Sequence, residues 1–423
     1  MNEQQQISRY VSYMYSYPHK TAYRTLTPQV SLSPYLERLE GREASLYFHI
    51  PFCAHKCGYC NLFSQQCCDA ERISLYLHTM RRQAEQLSVA AQGLKFTSFA
   101  VGGGTPLILD EGQLEELFCL AELFGVHPSR VFTSVETSPE YTQKSVLRQY
   151  GVNRLSMGVQ SFNETELKKL KRRPGLGTVV GALENIVEAG FPQFNLDLIY
   201  GIEGQTVESF MRSLNTALTY RPNELFIYPL YVRPGTRIDV RSTDDIGYAI
   251  YKSARELLVG QGFVQTSMRR FVRRETTETE FSCGDEVMLS CGAGGRSYLG
   301  NLHYATPYAV RQQAIADEID HYIRTTDFMT AANGFLLSTE EMQIRFIIKN
   351  LMYHQGVDLA EYEKRFGEKP DRNLFREFTD RGWIEETGRI VRLTEEGMAY
   401  SDYIGQAFIS PAVRKLMSEY VYP

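Results

Sequence analysis

The sequence predicts an α/β fold, a partial (β/α)6 TIM-like barrel followed by a mostly helical, winged-helix-like C-terminal domain. Three observations predict it. As far as Arg237, strand-length apolar runs alternate with amphipathic helical stretches. Polar or glycine-rich residues recur at one end of successive runs. Beyond Arg237 the rhythm changes to longer helices, an arginine-studded stretch and a glycine-rich turn.

The strand candidates are SLYFHI (45–50), FTSFAVG (96–102), RVFTSVE (130–136), NRLSMGVQ (153–160), FNLDLIYG (194–201) and ELFIYPLYV (224–232). Each is short and rich in β-branched or aromatic residues. Between them EGQLEELFCLAELFG, GTVVGALENIVEAGF and VESFMRSLNTALTYR repeat apolar residues at helical spacing, and stop at a glycine or shortly before a proline. Strand and helix in alternation imply a parallel sheet with helical crossovers. The helix IGYAIYKSARELLVGQGF then leads to SMRRFVRRETTETEF and the turn CGAGGRSYLGN. From about Thr306 the chain reads as mostly helical, and LFREFTDRGWIEETGRIVRLTEEGMAYSDYI has the helix, short-strand and turn order of a winged-helix-like unit. The expected limits are 1–44 for an N-terminal extension packing on the barrel, 45–304 for the barrel and 305–423 for the C-terminal domain.

The chain has 423 residues, 43% of them hydrophobic, which is enough for one large core with appendages. A formal charge of -5 argues against a bulk electrostatic grip on nucleic acid. MNEQQQISRYVSYMYSYPHK has no apolar signal core, and no uncharged apolar run reaches the length of a membrane helix. A cytoplasmic protein with no membrane or nucleic-acid partner is expected. Eight cysteines, three of them clustered, do not make a disulfide framework; without an export signal, metal or redox chemistry is the better reading.

In a parallel barrel, reactive groups collect on loops at the C-terminal ends of the strands. There the sequence places Cys53, Cys57 and Cys60, then GGGTP (102–106), Glu136, Gln160 and Asp197. Cysteine thiolates bind iron–sulfur cubanes or zinc. A cubane on three thiolates keeps one iron open to a substrate or cofactor. Zinc on three thiolates would need His49 or His55 as its fourth ligand, but structural zinc sites draw on two separated pairs and no second C-x-x-C is present. Cys67, Cys68, Cys119, Cys283 and Cys291 read as ordinary packed cysteines. The three glycines let backbone approach a ligand closely. Glu136 could accept from ribose hydroxyls, and Asp197, a carboxylate within an apolar strand, needs a partner.

C-x-x-x-C-x-x-C after a first barrel strand, followed by G-G-G-T-P, resembles the radical S-adenosylmethionine (SAM) superfamily. The stretches YFHIPFCAHKCGYC, VGGGTPLIL, SVETSPE, NRLSMGVQSFN and NLDLIYGIEGQT resemble, more narrowly, the subgroup of oxygen-independent coproporphyrinogen III oxidase. That resemblance implies a [4Fe–4S] cluster on Cys53, Cys57 and Cys60, with SAM on its open iron. Cleavage of SAM would release a 5′-deoxyadenosyl radical that modifies an organic substrate. It implies that Tyr47, Gly103 and Glu136 touch the cluster-bound SAM. Tyr59, Gly104, Thr105, Gln160, Arg172 and Asp197 match positions that hold a second SAM. Arg173 could stand in for Arg172, and a solvated charge run is the bland reading of both.

Leu62 stands where the oxidase carries a further cysteine, a departure that argues against the oxidase's own decarboxylation and leaves methyl transfer and heme carriage open beside it. Within the same group lie heme chaperones, which keep both cofactor sites without turnover, and radical methyltransferases. An RNA-modifying radical enzyme fits less well with the net acidity. The expected substrate is a small molecule, a tetrapyrrole or heme among the candidates. The expected partner is an electron donor such as flavodoxin or ferredoxin, and the expected state a monomer. Arg269, Arg270, Arg273 and Arg274 read first as an exposed basic strand balanced by the 275–280 segment, and second as a clamp for substrate carboxylates.

Overall fold

The computed structural model describes residues 8–11, 14, 16–142, 145–274 and 287–423. Its centre is six strands: β1 (Glu43–Ile50), β2 (Lys95–Gly103), β3 (Phe132–Thr137), β4 (Arg154–Gln160), β5 (Gln193–Tyr200) and β6 (Glu224–Pro229). They pair in that order and in parallel, as the alternation of strand and helix requires. β6 ends at Pro229, short of the expected Val232. Helices Ala70–Ala90, Glu111–Glu122, Ser145–Gln149, Leu176–Ala189, Val207–Thr219 and Asp244–Gly260 make or follow the crossovers. Side chains fix several starts by accepting from first-turn N–H groups: Asp69, Asp110 with a reciprocal Gln113, Thr206 with a reciprocal Ser209, and Thr243.

The alternation of side chains along a strand divides the barrel into two environments. In β4 and β5, Leu155, Met157, Val159, Leu196 and Leu198 are fully buried in the hydrophobic core. Their neighbours Arg154, Ser156, Gly158, Asn195 and Asp197 turn inward and line a cavity. The apolar face holds the helices on, and the polar face makes the site.

The barrel does not close. Val287–Cys291 adds a further parallel strand beside β1, and Arg296–Leu299, Leu302–Ala305, Thr330–Leu336 and Arg24–Ser31 continue the sheet antiparallel beyond it. The N-terminal region thus supplies an edge strand, and a strand from the otherwise helical region after Thr306 sits inside the main sheet. At the other edge, Arg270–Arg273 pairs with β6 and Phe263–Gln265 pairs with Arg270–Arg273. The C-terminal part packs helices Thr339–Leu351, Leu359–Phe366 and Asn373–Asp380 with a small sheet of Val357–Asp358, Ile390–Leu393 and Ile384–Thr387. Trp383 stacks on Tyr400 there with ring centroids 4.1 Å apart. Among the described residues no helix is long and apolar enough to cross a membrane.

At Arg269 and Arg270 both readings of the arginine stretch are corrected. Arg269 and Arg270 are each 4% exposed, and neither lines the cavity. Arg269 bonds Asp402 Oδ1 at 2.5 Å and the Tyr231 hydroxyl; Arg270 bonds Glu224, which also takes Arg154 Nε at 2.6 Å. Arg273 donates to the Pro222 carbonyl at 3.0 Å. Arg274 is exposed, and the 275–280 segment lies outside the described residues. Arg269 and Arg270 are structural because buried carboxylates distant in sequence come to meet them. Removing one partner of a buried pair strands the other charge. Asp402→Ala is therefore expected to lower unfolding free energy by about 3–5 kcal/mol in urea titrations; a loss below about 1 kcal/mol, the worth of a surface pair, would contradict this account.

Candidate functional site

A cavity of about 520 Å³ opens where the C-terminal ends of β1 to β6 meet the cysteine loop. The loop has little regular structure of its own. Phe52–Cys53 pairs with Gln65–Gln66, and the rest is held by neighbours. The Gly104 and Thr105 N–H groups donate to the Ile50 and Phe52 carbonyls, both at 2.8 Å. Gly58 N–H donates to the Leu170 carbonyl at 2.9 Å, and Arg237 N–H to the Gly58 carbonyl at 2.8 Å. From inside the loop, Lys56 Nζ donates to the carbonyls of Ser64 at 2.9 Å and of Leu62 and Val310 at 3.2 Å.

Cys53, Cys57 and Cys60 are free, half-buried and turned to the cavity. Each sulfur has a polar neighbour. Thr105 Oγ1 donates to Cys53 Sγ at 3.5 Å, Arg172 Nη1 donates to Cys57 Sγ at 3.1 Å, and Cys60 Sγ lies 3.7 Å from Ser64 Oγ. Burial first, then the neighbouring Cys60, pushes the Cys53 thiol up to about 12. Binding of a positive metal centre displaces the proton of such a thiol. Hydrogen bonds to sulfur of this kind tune an iron–sulfur centre.

Among the described residues, no group of three or more His, Cys, Asp or Glu side chains is gathered tightly enough to hold one metal ion. His49 Nε2 is bonded to the Phe63 carbonyl at 2.9 Å and Nδ1 to the Tyr47 hydroxyl at 3.1 Å, so its ring has no nitrogen left for zinc. His55 Nε2 faces Glu140 at 3.7 Å. The donor set, three thiols around one end of a large cavity, fits a multi-iron cluster better than a single ion.

Opposite the loop, GGGTP runs against β1. Gly103 has φ +116°, and a side chain there would lie 2.7 Å from the His49 ring. At Gly104 a Cβ would lie 2.6 Å from the Phe52 carbonyl oxygen and 2.9 Å from Cys53 Sγ. Only glycine lets the two segments come this close. The Gly103 N–H donates to Glu136 Oε2 at 3.0 Å. Glu136 opens onto the cavity with its pKa raised by surrounding protein, an effect that this N–H and Arg154 oppose.

Deeper in, Asn195 Nδ2 donates to Asp197 Oδ1 at 2.7 Å and to Ser156 Oγ at 2.8 Å. Burial pushes Asp197 up to about 7; Asn195 and Arg154 oppose the shift, while Glu136 and Glu224 add to it. β4 ends in an irregularity between Gly158 and Gln160, and Gln160 takes φ +75°, a strained conformation for a residue with a side chain. Arg172 bonds the Gly158 carbonyl and approaches the Tyr59 hydroxyl at 3.5 Å.

Every residue singled out from the sequence as a cofactor contact lines this cavity with the three cysteines. Tyr47, Gly103 and Glu136 form one wall. Tyr59, Gly104, Thr105, Gln160, Arg172 and Asp197 surround the rest. Arg172, not a solvated charge, reaches the sulfur; Arg173 also lines the cavity but is exposed. Cys291 is packed as expected, Cys67 partly so, while Cys68 and Cys119 are exposed; Cys283 lies outside the described residues. Sequence reasoning missed Arg154, Ser156 and Asn195. Their signal was present, as polar residues at alternate positions of otherwise apolar strands. It also missed Lys20, Arg233 and Arg296, which had no such pattern.

Three comparisons bear on this site. The radical SAM superfamily model matches residues 47–217, and the HemN C-terminal domain model matches residues 337–400. The chain is similar to the heme chaperone HemW of Bacillus subtilis (strain 168), 27% identical over 390 residues, covering 86% of this chain and 99% of that protein. It is also similar to the oxygen-independent coproporphyrinogen III oxidase of Escherichia coli (strain K12), 26% identical over 386 residues, covering 84% and 82%. The solved structure of coproporphyrinogen III oxidase (HemN) from Escherichia coli, described as a radical SAM enzyme, has the same fold. Its TM-score is 0.79 at 22% identity, covering 94% of this chain and 96% of that one. A radical SAM domain implies a [4Fe–4S] cluster and SAM as cofactors, and the donor set described above fits that pair.

Two outcomes are expected. Gly104→Ala should push the cysteine loop off β2, so that anaerobic reconstitution loads well under half the iron of wild type while circular dichroism is unchanged; full loading would contradict the close approach. Asp197 has a folded-state pKa near 7, above its unfolded value, so the native state holds the extra proton between about pH 4 and 7. Stability from this group therefore falls as pH rises through that window. The Asp197→Asn variant should lose that part of the slope and be more stable than wild type at pH 8 in urea titrations; parallel pH profiles would overturn the reading.

Proposed function

From a chain that carries a radical SAM superfamily domain at residues 47–217, we infer a radical enzyme. It holds a [4Fe–4S] cluster on Cys53, Cys57 and Cys60, binds SAM beside it, and modifies an organic substrate of tetrapyrrole type. Cys53, Cys57 and Cys60 would hold the cluster, which, reduced by a donor such as flavodoxin or ferredoxin, would supply the one-electron reductive cleavage of SAM and with it hydrogen abstraction from the substrate. The observation that carries this reading is that three thiols from one loop face one cavity, and that no other described cysteine lines it.

The chain's own residues have distinct tasks in this reading. Lys56 and the backbone bonds to Gly58 and Gly104 keep the loop in one shape, and the Thr105 hydroxyl and Arg172 guanidinium temper the charge on two of the sulfurs. The wall of Tyr47, Gly103 and Glu136 offers backbone and carboxylate partners to the amino and hydroxyl groups of SAM. Gln160, Arg172 and Asp197 offer a second set across the cavity, suited to a second SAM. With a pKa near 7, Asp197 can donate or accept a hydrogen bond at neutral pH.

A second reading, a heme-binding chaperone that keeps the cofactors without turnover, is favoured by the similarity to the Bacillus subtilis HemW protein. One experiment separates them. Anaerobically reconstituted protein, reduced in the presence of SAM, is expected to form 5′-deoxyadenosine and methionine, and Cys57→Ala to form neither. Stoichiometric heme binding without SAM consumption would select the chaperone, and a wild type that binds zinc but assembles no cluster would remove both.

A further inference from the structure

The run KKLKRR (168–173) has only one member with a task in the site. Arg172 turns inward and donates to Cys57 Sγ at 3.1 Å, while Lys168, Lys169, Lys171 and Arg173 stay exposed. Local geometry makes this split. The helix Glu164–Lys169 ends with the Arg172 N–H on the Leu167 carbonyl at 3.0 Å, and Lys171 takes φ +51°, which turns the chain sharply.

The exposed ridge is built onto the cysteine loop. Gly58 N–H donates to the Leu170 carbonyl within the run, and a Cβ at Gly58 would lie 3.1 Å from Lys171 Cβ, so no side chain separates loop from ridge. Lys171 Nζ donates to the Arg237 carbonyl at 2.6 Å, and the exposed Arg237 guanidinium donates to the Lys56 carbonyl. Lys169 Nζ donates to the Glu203 carbonyl at 2.6 Å. Carbonyls carry no net charge, so these bonds fix the cations in place without cancelling them. The exposed carboxylates on the same segments are Glu164, Glu203 and Asp239, which the cations outnumber although the whole chain carries -5. The dipole of the helix accounts for basic residues in its last turn, Lys168 and Lys169, but not for Lys171, Arg173 and Arg237 beyond it.

In the radical enzyme reading, electrons reach the cysteine loop from a carrier, which loses one electron for each one gained at the loop, with no atom exchanged. SAM and substrate take the cavity side, so the carrier needs a face outside it. The ridge is such a face, and through Arg172 it lies one hydrogen bond from the sulfur of Cys57. We propose that Lys168, Lys169, Lys171, Arg173 and Arg237 form the docking surface for an acidic one-electron carrier protein of the flavodoxin kind. A positive patch on an acidic chain steers such a partner to one place, and the rest of the surface repels it. The proposal rests on the radical enzyme reading for the carrier's task, but the binding is measured by itself.

The test titrates the full chain, reconstituted anaerobically, with purified flavodoxin in a calorimeter. Binding with a Kd on the order of 10 µM at low ionic strength is expected, about tenfold weaker at about 0.2 M salt. The Lys168→Glu/Lys169→Glu pair should weaken it about tenfold and flatten its salt dependence. Lys252→Glu, an exposed change on the helix Asp244–Gly260, should leave it unaltered. Thermal unfolding checks each variant; if the charge-reversed pair unfolds, Lys168→Gln/Lys169→Gln, expected to weaken binding about threefold, decides. No binding at low salt, normal binding by the lysine variants, or equal weakening by Lys252→Glu would overturn the proposal. Tighter binding of a single-stranded RNA than of flavodoxin would overturn it too. Formation of 5′-deoxyadenosine with dithionite, which needs no carrier, keeps the two readings apart. If it occurs while the lysine variants bind normally, the docking surface alone fails; if it does not occur, the radical reading fails whatever flavodoxin does.

Discussion

The cysteine loop cannot hold its own shape, and the site depends on how its neighbours hold it. The loop has glycine at 58, two-residue strand pairing at one end and no helix. Its backbone is pinned from three directions: by Gly104 and Thr105 at the end of β2, by Leu170 after β4, and by Arg237 after β6. A loop tied to three separate segments of the barrel can present three sulfurs as rigidly as a helix could. The cost falls on the neighbours. Gly104 must lack a side chain so that the end of β2 can lie against the loop, and Gly103 so that it can lie against His49 of β1.

The same strands then provide the chemistry around the sulfurs. Because side chains alternate, residues of β4 and β5 that pack outside are followed by ones that face the cavity. Filling the interior with Arg154, Ser156, Asn195 and Asp197 forgoes apolar burial, and the structure recovers part of the loss by bonding Asn195 to Ser156 and Asp197, and Arg154 to Ser134. Under the floor, Glu224 takes both Arg154 and Arg270. Farther out, Arg269 and Asp402 tie the barrel's edge to the C-terminal helices through Tyr231, whose ring lines the cavity. A chain of charged and polar contacts therefore runs from the C-terminal part to the wall of the site.

How much of this was legible in sequence follows from the range of the forces involved. The six parallel strands were readable because each is a local run of β-branched and aromatic residues, and the cysteine spacing and glycine triplet are local as well. Gathering Glu136, Gln160 and Asp197 at one end of the barrel was readable from their places at strand ends, whereas adding Tyr47 and Arg172 to them was readable only through the resemblance to a family. The misreadings have a common cause. Arg269 and Arg270 sit in a polar stretch, but their partners Asp402 and Glu224 are far away in sequence, so the stretch looked exposed. The edge strand Arg24–Ser31 finds its partner in Thr330–Leu336 by the same kind of distant pairing. The positive φ of Gln160 gives no sign in the sequence, since nothing in that residue type requires it.

The central claim is that the protein binds iron through three thiols and leaves the fourth corner to SAM. Mössbauer spectroscopy of protein reconstituted with iron-57 under argon tests it most directly. The account predicts a four-iron cluster in which one iron is distinct from the other three and changes its signal when SAM is added. Four irons that are indifferent to SAM, or no cluster at all, would contradict it.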